Sequence, residues 1–421
     1  MQRQYLCIDL KSFYASVECV QRGLDPMTAK LVVADPDRSK NTICLAVSPA
    51  LKALGVKNRC RIRDIPEGMK FITARPQMKR YIDCSAEIYG IYLKYFSKDD
   101  IHVYSVDEAF MDVTNYLTLY GMTARELAVT VMEDIRRSMG GLRATCGIGT
   151  NLYLTKIALD ITAKHSPEFI GELNEETYRE TLWDHRPLTD FWRIGPGISA
   201  RLARGGMFTM RDIAKADENV LYHMFGKDAE LLIDHAWGRE PATIADIKAY
   251  QSKKHSLSSG QVLMRDYSYE EGTVIVKEMT ELLCLDLTEK GLVTHSLSLY
   301  IGYSGRDDVT AAKGSVSLAA DTNLSNILIP AAAKLYDRIS DRRCKLRRVI
   351  VCFGDVAPEN NIQMTLFDNV KENAHNREIQ KTVLRIKNRY GKNAIFKGMD
   401  LSEAAMTLER NKQIGGHRSG E

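Results

Sequence analysis

The stretch Ser105-Val106-Asp107-Glu108-Ala109-Phe110 places two adjacent carboxylates inside an apolar run. Residues 102–106 and 109–113 are rich in strand formers, so the stretch predicts a hairpin with both acids at its tight turn. Adjacent side chains on a regular strand point to opposite faces, and they can reach one point only where the backbone turns. Two acids held together repel each other, and carboxylate oxygens are ligands that magnesium prefers. The alternative is a solvated turn, which an isolated Asp-Glu pair usually marks.

A third acid lies near the N-terminus. The run Tyr5-Leu6-Cys7-Ile8-Asp9-Leu10 predicts a buried strand that carries a carboxylate close to its end. Burying an acid is costly unless it is paired or binds a metal ion. We therefore predict that Asp9, Asp107 and Glu108 are catalytic and share two divalent ions, the arrangement suited to in-line phosphoryl displacement.

These acidic blocks carry a family resemblance. Ile8-Asp9-Leu10, then Phe13-Tyr14-Ala15-Ser16-Val17-Glu18, then Ser105-Val106-Asp107-Glu108-Ala109 resemble the Y-family, the translesion DNA polymerases, in order and spacing. Later blocks extend the resemblance to about residue 355. The segment Ala50-Leu51-Lys52-Ala53-Leu54-Gly55-Val56-Lys57 and the long C-terminal tail resemble the UmuC-type (ImpB/MucB/SamB-like) branch more closely than the DinB-type branch.

The resemblance implies error-prone, template-directed addition of deoxynucleotides to a primer 3′-end opposite damaged bases, in DNA repair and the SOS response. It implies that Asp9 and Asp107 bridge two Mg²⁺ ions, that Glu108 completes the catalytic ion, and that the Leu10 carbonyl contacts the other. The expected partners are primer-template DNA and deoxynucleoside triphosphates.

The composition is that of an ordinary globular chain of several domains, with 421 residues, 44% hydrophobic and 27% charged. A net charge of +4 is modest, so a nucleic-acid surface would need local clustering of basic residues. The nine cysteines form no Cys-x-x-Cys pair, which argues against a zinc site or a disulfide framework. Arg3 and Asp9 interrupt any signal-like stretch, and no segment approaches the roughly 20 apolar residues of a membrane span. We expect a cytoplasmic protein without membrane contact, associated with the nucleoid when it acts.

The expected fold is α+β, with α and β elements mixed along the chain. The resemblance implies a right-hand polymerase core with a ferredoxin-like palm, small fingers and a helical thumb, followed by a βαββαβ little finger. The predicted bounds are 1–14 and 80–170 for the palm, 15–79 for the fingers, 171–240 for the thumb, 241–254 for a linker, 255–355 for the little finger and 356–421 for a C-terminal tail.

Aromatic residues and lysines are the candidates for binding the incoming nucleotide. Tyr14 occupies the family's steric-gate position, where a ring stacks under the sugar and excludes a 2′-hydroxyl. Phe13 belongs to the same block, although a core aromatic on the first turn of a helix explains it better. Lys52 matches a basic residue that contacts the triphosphate in the family.

Lys164 is the candidate for a second triphosphate lysine. Thr150-Asn151 is predicted to cap a helix running from Leu152 to Lys164. The blocks Gly147-Ile148-Gly149-Thr150-Asn151 and Thr155-Lys156-Ile157-Ala158 resemble the family, but Lys156 to Lys164 is one residue longer than the DinB-type spacing. Lysines at helix ends are also common partners of the helix dipole.

Two further groups are candidates for DNA contact. Trp192-Arg193-Ile194-Gly195-Pro196-Gly197-Ile198 resembles a helix-hairpin-helix turn, in which Gly195 and Gly197 let backbone N–H groups approach a phosphate. A simple helical corner is the alternative. Basic residues also cluster at the last little-finger strand, where a solvated face is the alternative to contacts with the DNA backbone. The candidates there are Arg342, Arg343, Arg347 and Arg348.

The tail contains Gln363-Met364-Thr365-Leu366-Phe367-Asp368, which resembles the peptide that docks bacterial polymerases on the sliding clamp. Leu366 and Phe367 would fill an apolar pocket, and Gln363 would form a hydrogen bond at its rim. Whether the tail also binds a UmuD-like subunit or a recombinase filament stays open.

Two other functions compete with a polymerase. A palm-fold nucleotide cyclase would use similar paired carboxylates, but it would leave the thumb turn, the basic little finger and the clamp peptide unexplained. A catalytically silent DNA-binding scaffold at the clamp is the second, and the presence of all three acids weighs against it.

Overall fold

The structure is a computed structural model that describes residues 2–37, 41–252, 255–305, 309–359 and 370–420. The chain divides into two units, of which the first runs to Tyr250 and the second begins at Gln251. In the described part, no helix is long and apolar enough to cross a lipid bilayer.

A five-stranded sheet organises the first unit, in the order β5-β6-β1-β7-β8. Its pairs are antiparallel except for the parallel pair β7 and β8, which gives the mixed sheet expected of the palm. A second, three-stranded sheet in the order β3-β2-β4 lies in the region predicted as fingers. The strands of this unit are β1 (Tyr5–Leu10), β2 (Leu31–Val33), β3 (Ala46–Val47), β4 (Ile72–Ala74), β5 (Ile101–Val103), β6 (Glu108–Asp112), β7 (Ala144–Gly149) and β8 (Ile170–Leu173).

Helices bury their apolar faces against the palm sheet. The helix from Ala124 begins at a capping box in which Thr123 and Glu126 bond each other's backbone N–H. Its buried residues Leu127, Val131 and Ile135 recur at a spacing of four, which places them on one face. The helices of this unit are α1 (Phe13–Gln21), α2 (Pro49–Ala53), α3 (Met78–Tyr92), α4 (Thr114–Tyr120), α5 (Ala124–Ser138), α6 (Leu152–Ile157), α7 (Glu175–Thr181), α8 (Pro196–Arg204), α9 (Met210–Lys215), α10 (Glu218–Phe225), α11 (Asp228–Trp237) and α12 (Ile244–Ala249).

Helix α12 lies inside the segment predicted as the linker 241–254. Its residue Ile244 is buried in a cluster with Tyr5 and Phe110, and Lys248 donates to the backbone carbonyl of Lys98. The first half of the predicted linker is therefore an ordered helix packed on the palm. Six residues are too few to show a helical period, so this helix was not predicted from the sequence.

The second unit contains a four-stranded antiparallel sheet in the order β11-β10-β12-β9, with α13 and α14 packed on one face. The element order βαββαβ agrees with the predicted little finger. The elements of this unit are β9 (Leu257–Tyr267), α13 (Tyr269–Glu289), β10 (Leu292–Tyr303), β11 (Ala312–Thr322), α14 (Ser325–Ile339), β12 (Leu346–Gly354), β13 (Ala357–Pro358), α15 (Val370–Tyr390), α16 (Thr407–Arg410), β14 (Gln413–Ile414) and β15 (His417–Arg418).

The described C-terminal residues 370–420 pack on the little finger. On α13, the carboxylate of Glu278 accepts bonds from the backbone N–H groups of Met406 and Thr407, and Gln380 of α15 binds Ser325 and Thr288. The predicted clamp residues Gln363, Leu366 and Phe367 lie outside the described residues.

Candidate active site

Strand pairing brings the first and third acids together. In the antiparallel register of β1 and β6, Asp9 lies directly opposite Glu108, so both side chains point to the same face of the sheet. Asp107 precedes β6 in the turn, where its side chain accepts a bond from the Ser105 hydroxyl (2.6 Å). Leu10 donates its backbone N–H to the Asp107 carbonyl (3.0 Å), which fixes the turn against the end of β1.

The electrostatics of Asp9 are those of a crowded acid. Burial, and after it the negative charges of Asp107 and Glu108, raise the pKa of Asp9 to about 7, although Lys164 and Lys156 oppose the shift. A carboxylate whose charge is disfavoured by neighbouring acids is stabilised by a bound cation.

Glu108 has a partner that sequence reasoning did not identify. The Lys156 ammonium lies 2.8 Å from Oε1 and 2.9 Å from Oε2 of Glu108, and both side chains are 9% exposed. The Cys7 thiol donates to Oε1 (3.2 Å), and Asp160 also binds Lys156 (3.1 Å). Burial alone would lower the pKa of Lys156, but Asp160 and Glu108 raise it above its usual value.

The acids fit a divalent metal ion by ligand type and by their mutual repulsion. The backbone of Asp107 is bonded to Leu10 at the end of β1, and the charge of Asp107 acts on Asp9. Among the described residues, however, no three metal-ligating side chains converge closely enough to hold an ion as they stand. Glu108 is turned toward Lys156, and it would have to yield an oxygen to complete the site.

A group of lysines surrounds the acids. Burial lowers the pKa of Lys11, and the charges of Lys52 and Lys164 lower it further. Burial also lowers the pKa of Lys52; Asp9 opposes this effect and Lys164 adds to it. The structure thus places the predicted Lys52 and Lys164 near Asp9, together with Lys11, which the sequence did not single out. Mutually repelling ammonium groups beside a carboxylate site suit a polyanion such as a triphosphate.

The unusual Lys156–Lys164 spacing has a structural explanation. The predicted single helix consists of α6, a π-helical turn at Ala158–Thr162 and a 3₁₀ turn at Ala163–His165. In an α-helix, a step of eight residues rotates a side chain by about 80°, whereas a step of seven rotates it by about 20°. A π turn accommodates one extra residue. Both lysines bind Asp160, which lies four residues from each, Lys156 at 3.1 Å and Lys164 at 2.9 Å.

Glycines on the strands beneath this segment allow it to lie close to the sheet. A Cβ atom on Gly147 would lie 2.1 Å from the Thr155 carbonyl oxygen, and one on Gly149 would lie 2.4 Å from the Thr155 nitrogen. A Cβ on Gly171 would similarly meet the Ala158 carbonyl oxygen at 2.4 Å. The glycines of the family-like block thus set the position of both lysines.

The two aromatic candidates differ in their environment. Phe13 is 3% exposed in the palm core, whereas Tyr14 is half-buried and stacks on Tyr81, with ring centroids 4.5 Å apart. Burial raises the pKa of Tyr14, and the nearby Asp107 adds to the effect. Tyr81 donates to the buried Glu18 (2.6 Å), so the stack has a fixed base.

The thumb turn presents open backbone. Gly195 caps α8, and a Cβ on Gly195 or Gly197 would meet no atom within 4 Å. Only a short 3₁₀ helix, Leu188–Asp190, precedes the turn, instead of the α-helix expected of a helix-hairpin-helix. Trp192 ties the turn to the acidic hairpin, because its indole N–H donates to the Tyr104 hydroxyl (3.1 Å).

The four little-finger arginines fall into two pairs, one before β12 and one on it. Arg342 and Arg343 precede β12 and pair with Asp337 and Asp341, respectively. Arg347 lies 3.6 Å from Asp266, and Arg348 lies over the Tyr300 ring, with 5.9 Å between guanidinium and ring centroid. Arg342 and Arg343 thus lie just before β12, and Arg347 and Arg348 lie within it, as the predicted cluster at this strand implies.

Comparison with known proteins identifies the family. Residues 8–160 match the impB/mucB/samB family model, and residues 254–366 match the model of that family's C-terminal domain. UvrX of Bacillus subtilis strain 168, a protein named for UV-damage repair, is 30% identical over 99% of this chain and 98% of its own. The chain belongs to the impB/mucB/samB family.

Other relatives of this impB/mucB/samB chain carry polymerase names. Two proteins named DNA polymerase IV 2 are similar to it. That of Bacillus subtilis is 29% identical over 97% of both chains, and that of Halalkalibacterium halodurans is 28% identical over 99% of this chain and all of its own. A solved "Y-family DNA polymerase chimera Dbh-Dpo4(243-245)-Dbh" superposes with a TM-score of 0.65 at 21% identity, covering 84% of this chain and 99% of its own. The Y-family resemblance and the mixed α+β fold are confirmed.

Proposed function

We propose that this chain adds deoxynucleotides to a primer 3′-end opposite damaged template bases, with Asp9, Asp107 and Glu108 as its catalytic acids. Its family and its relatives support the coarser statement that it is a translesion DNA-directed DNA polymerase. The observation that carries the finer proposal is the pairing of Asp9 with Glu108 beside Asp107, within reach of Lys11, Lys52 and Lys164. A nucleotide cyclase would leave the thumb turn unexplained, and a silent scaffold would leave the three acids and the lysines unexplained.

Each group has a defined role in this proposal. Two Mg²⁺ ions, held by the three acids and the Leu10 carbonyl, would activate the primer hydroxyl and neutralise triphosphate charge. Lys52 and Lys164 bind the triphosphate. The Tyr14 ring, held against Tyr81, occupies the space that a 2′-hydroxyl needs.

DNA is held by sequence-independent contacts. The open backbone at Gly195 and Gly197 donates N–H groups to a phosphate. Arg348 on β12 is the best placed of the little-finger arginines to meet another, because it is exposed over the Tyr300 ring, whereas the other three lie beside carboxylates. Such contacts give binding that weakens steeply with salt concentration.

Primer extension on intact and abasic templates with Mg²⁺ tests the proposal. Wild type is expected to extend both primers, and Asp107→Ala/Glu108→Ala is expected to extend neither while still binding DNA. Asp99→Ala/Asp100→Ala is the matched control, because it removes another adjacent acid pair, in the 3₁₀ turn Lys98–Asp100. Equal loss in both double variants would contradict the assignment of the acids.

We also propose that Gln363, Leu366 and Phe367 dock the polymerase on the sliding clamp. The change Leu366→Ala/Phe367→Ala is expected to abolish stimulation by the clamp and to leave clamp-free extension unchanged. If a UmuD-like subunit or a recombinase filament binds elsewhere on the tail, adding it should still stimulate primer extension by this variant.

A further inference from the structure

The ion pair between Lys156 and Glu108 is buried and complete. Both carboxylate oxygens lie within 2.9 Å of the Lys156 ammonium, and the Cys7 thiol occupies a further position at Oε1. With 9% exposure on each side, water contributes little to either charge. A buried charge that loses its partner is strongly destabilising, so Lys156 is the main counter-charge of Glu108 in the protein without metal.

The fold leaves Lys156 little freedom. Its segment lies against Gly147 and Gly149, where a single added Cβ would collide with backbone atoms. Asp160 binds the ammonium from one side, and the Tyr104 ring lies 5.8 Å from it on another. The ammonium therefore defines where the Glu108 carboxylate rests.

A divalent ion at the catalytic acids must use an oxygen of Glu108 that Lys156 already binds. We propose that Lys156 is a positioning residue that holds Glu108 before metal binding and yields one carboxylate oxygen when a divalent ion arrives. The proposal rests on the proposed function only in taking Glu108 as a metal ligand. It predicts that the lysine and the ion compete for one carboxylate, whereas a purely structural ion pair would be indifferent to metal.

Thermal unfolding and Mn²⁺ titration of the full chain, without DNA or nucleotide, separate these two cases. Lys156→Met is expected to lower the melting temperature in chelator, and Mn²⁺ is expected to restore most of the loss by replacing the missing counter-charge. Its Mn²⁺ dissociation constant should fall several-fold relative to wild type. Lys156→Arg should shift the constant in the opposite direction, because a guanidinium donates two parallel N–H bonds that hold a carboxylate more firmly than one ammonium does.

Two controls complete the experiment. Lys94→Met removes a lysine that pairs with Asp134 on the surface (3.0 Å), and its small effect should not depend on Mn²⁺. In a Glu108→Gln background, Lys156→Met should lose its metal dependence. Lys156→Arg keeps the test valid if Lys156→Met fails to fold.

The outcomes distinguish the two levels of inference. The positioning role is overturned if Lys156→Met lowers the melting temperature equally with and without Mn²⁺, or if both Lys156 variants bind Mn²⁺ with unchanged affinity. Primer extension by wild type, and with it the proposed function, would still stand. If wild type extends no primer, the proposed function fails whatever the Lys156 variants do. Weaker Mn²⁺ binding in Lys156→Met would also overturn the competition.

Discussion

Asp9 is the residue at which the opposing charges of the site meet. Burial and two neighbouring acids raise the pKa of Asp9 to about 7, although two lysines act against the shift. The carboxyl group is thus poised between its two forms near neutral pH in the protein without metal. Metal binding requires the ionised form, so we expect affinity to fall as the pH drops below 7.

The same pKa predicts a pH-dependent stability. The folded pKa of Asp9 lies above its unfolded value near 3.8, so ionisation of Asp9 destabilises the fold. This destabilisation is absent below about pH 4 and reaches its full size above pH 7. Asp9→Asn should therefore stabilise the metal-free protein by up to roughly 4 kcal/mol at pH 8 and by less than half as much at pH 5, because one pKa unit corresponds to about 1.4 kcal/mol. Urea denaturation in chelator at both pH values measures the difference. Asp112→Asn on β6 is the control, and an equal effect at both pH values would contradict the origin of the shift.

Tyr14 offers a second prediction at the scale of one side chain. Its ring is fixed by stacking on Tyr81 at an interplanar angle of 17°, so it cannot easily swing aside for a 2′-hydroxyl. Tyr14→Ala should raise the efficiency of ribonucleotide insertion relative to deoxynucleotide insertion by at least about tenfold. Tyr14→Phe keeps the ring and should keep the discrimination. Single-nucleotide insertion kinetics test both, and a loss of discrimination in Tyr14→Phe would assign the role to the hydroxyl.

At the scale of elements, the sequence predicted most of what the structure contains. The acidic hairpin and the little-finger order βαββαβ agree with the structure, except that Glu108 is the first residue of β6 and only Asp107 lies in the turn. The π turn at Ala158–Thr162 has no periodic signature, and its one trace was the extra residue between Lys156 and Lys164. The roles of Lys11 and Lys156 also escaped prediction, because a lone lysine in a sequence does not reveal which acid it will face.

The glycines beneath the π turn give the prediction for this scale. Gly147→Ala would bring a methyl group within 2.1 Å of the Thr155 carbonyl and 2.5 Å of the Leu159 nitrogen, both backbone atoms that cannot turn away. We expect destabilisation of about 3 kcal/mol, and reduced activity because Lys156 and Lys164 move with the segment. Gly90→Ala is the control, since it lies in α3 with no atom within 4 Å and should be neutral or slightly stabilising. Chemical denaturation measures the free energy of unfolding of both variants. Similar values for the two would contradict the prediction and show that the segment shifts to accommodate the methyl group.

At the scale of the molecule, the tail is the part that the sequence described least. Residues 370–420 contain eleven lysines and arginines and five acids, and this composition does not predict a folded segment. The sequence of Asn411-Lys412-Gln413-Ile414-Gly415-Gly416-His417-Arg418 indicates no function, and the structure shows that this stretch contains the two-stranded hairpin β14–β15. Met406 and Thr407 are held by Glu278 of α13, far away in the sequence, and such contacts leave no local sequence pattern from which to predict them.

Glu278 supplies the test of that docking. It is 1% exposed on α13, and its carboxylate accepts bonds from Met406 N–H (3.0 Å), Thr407 N–H (3.1 Å) and the Thr407 hydroxyl (3.0 Å). Glu278→Ala leaves these buried donors without an acceptor, so the segment around α16 should detach while the sheet of the little finger stays folded. Hydrogen exchange at Met406 and Thr407 should accelerate at least about tenfold, the equivalent of roughly 1.4 kcal/mol in local opening. Glu270→Ala on the exposed first turn of α13 should change neither rate. Unchanged protection in Glu278→Ala would mean that the apolar contacts of Ala404 and Met406 hold the tail without the carboxylate.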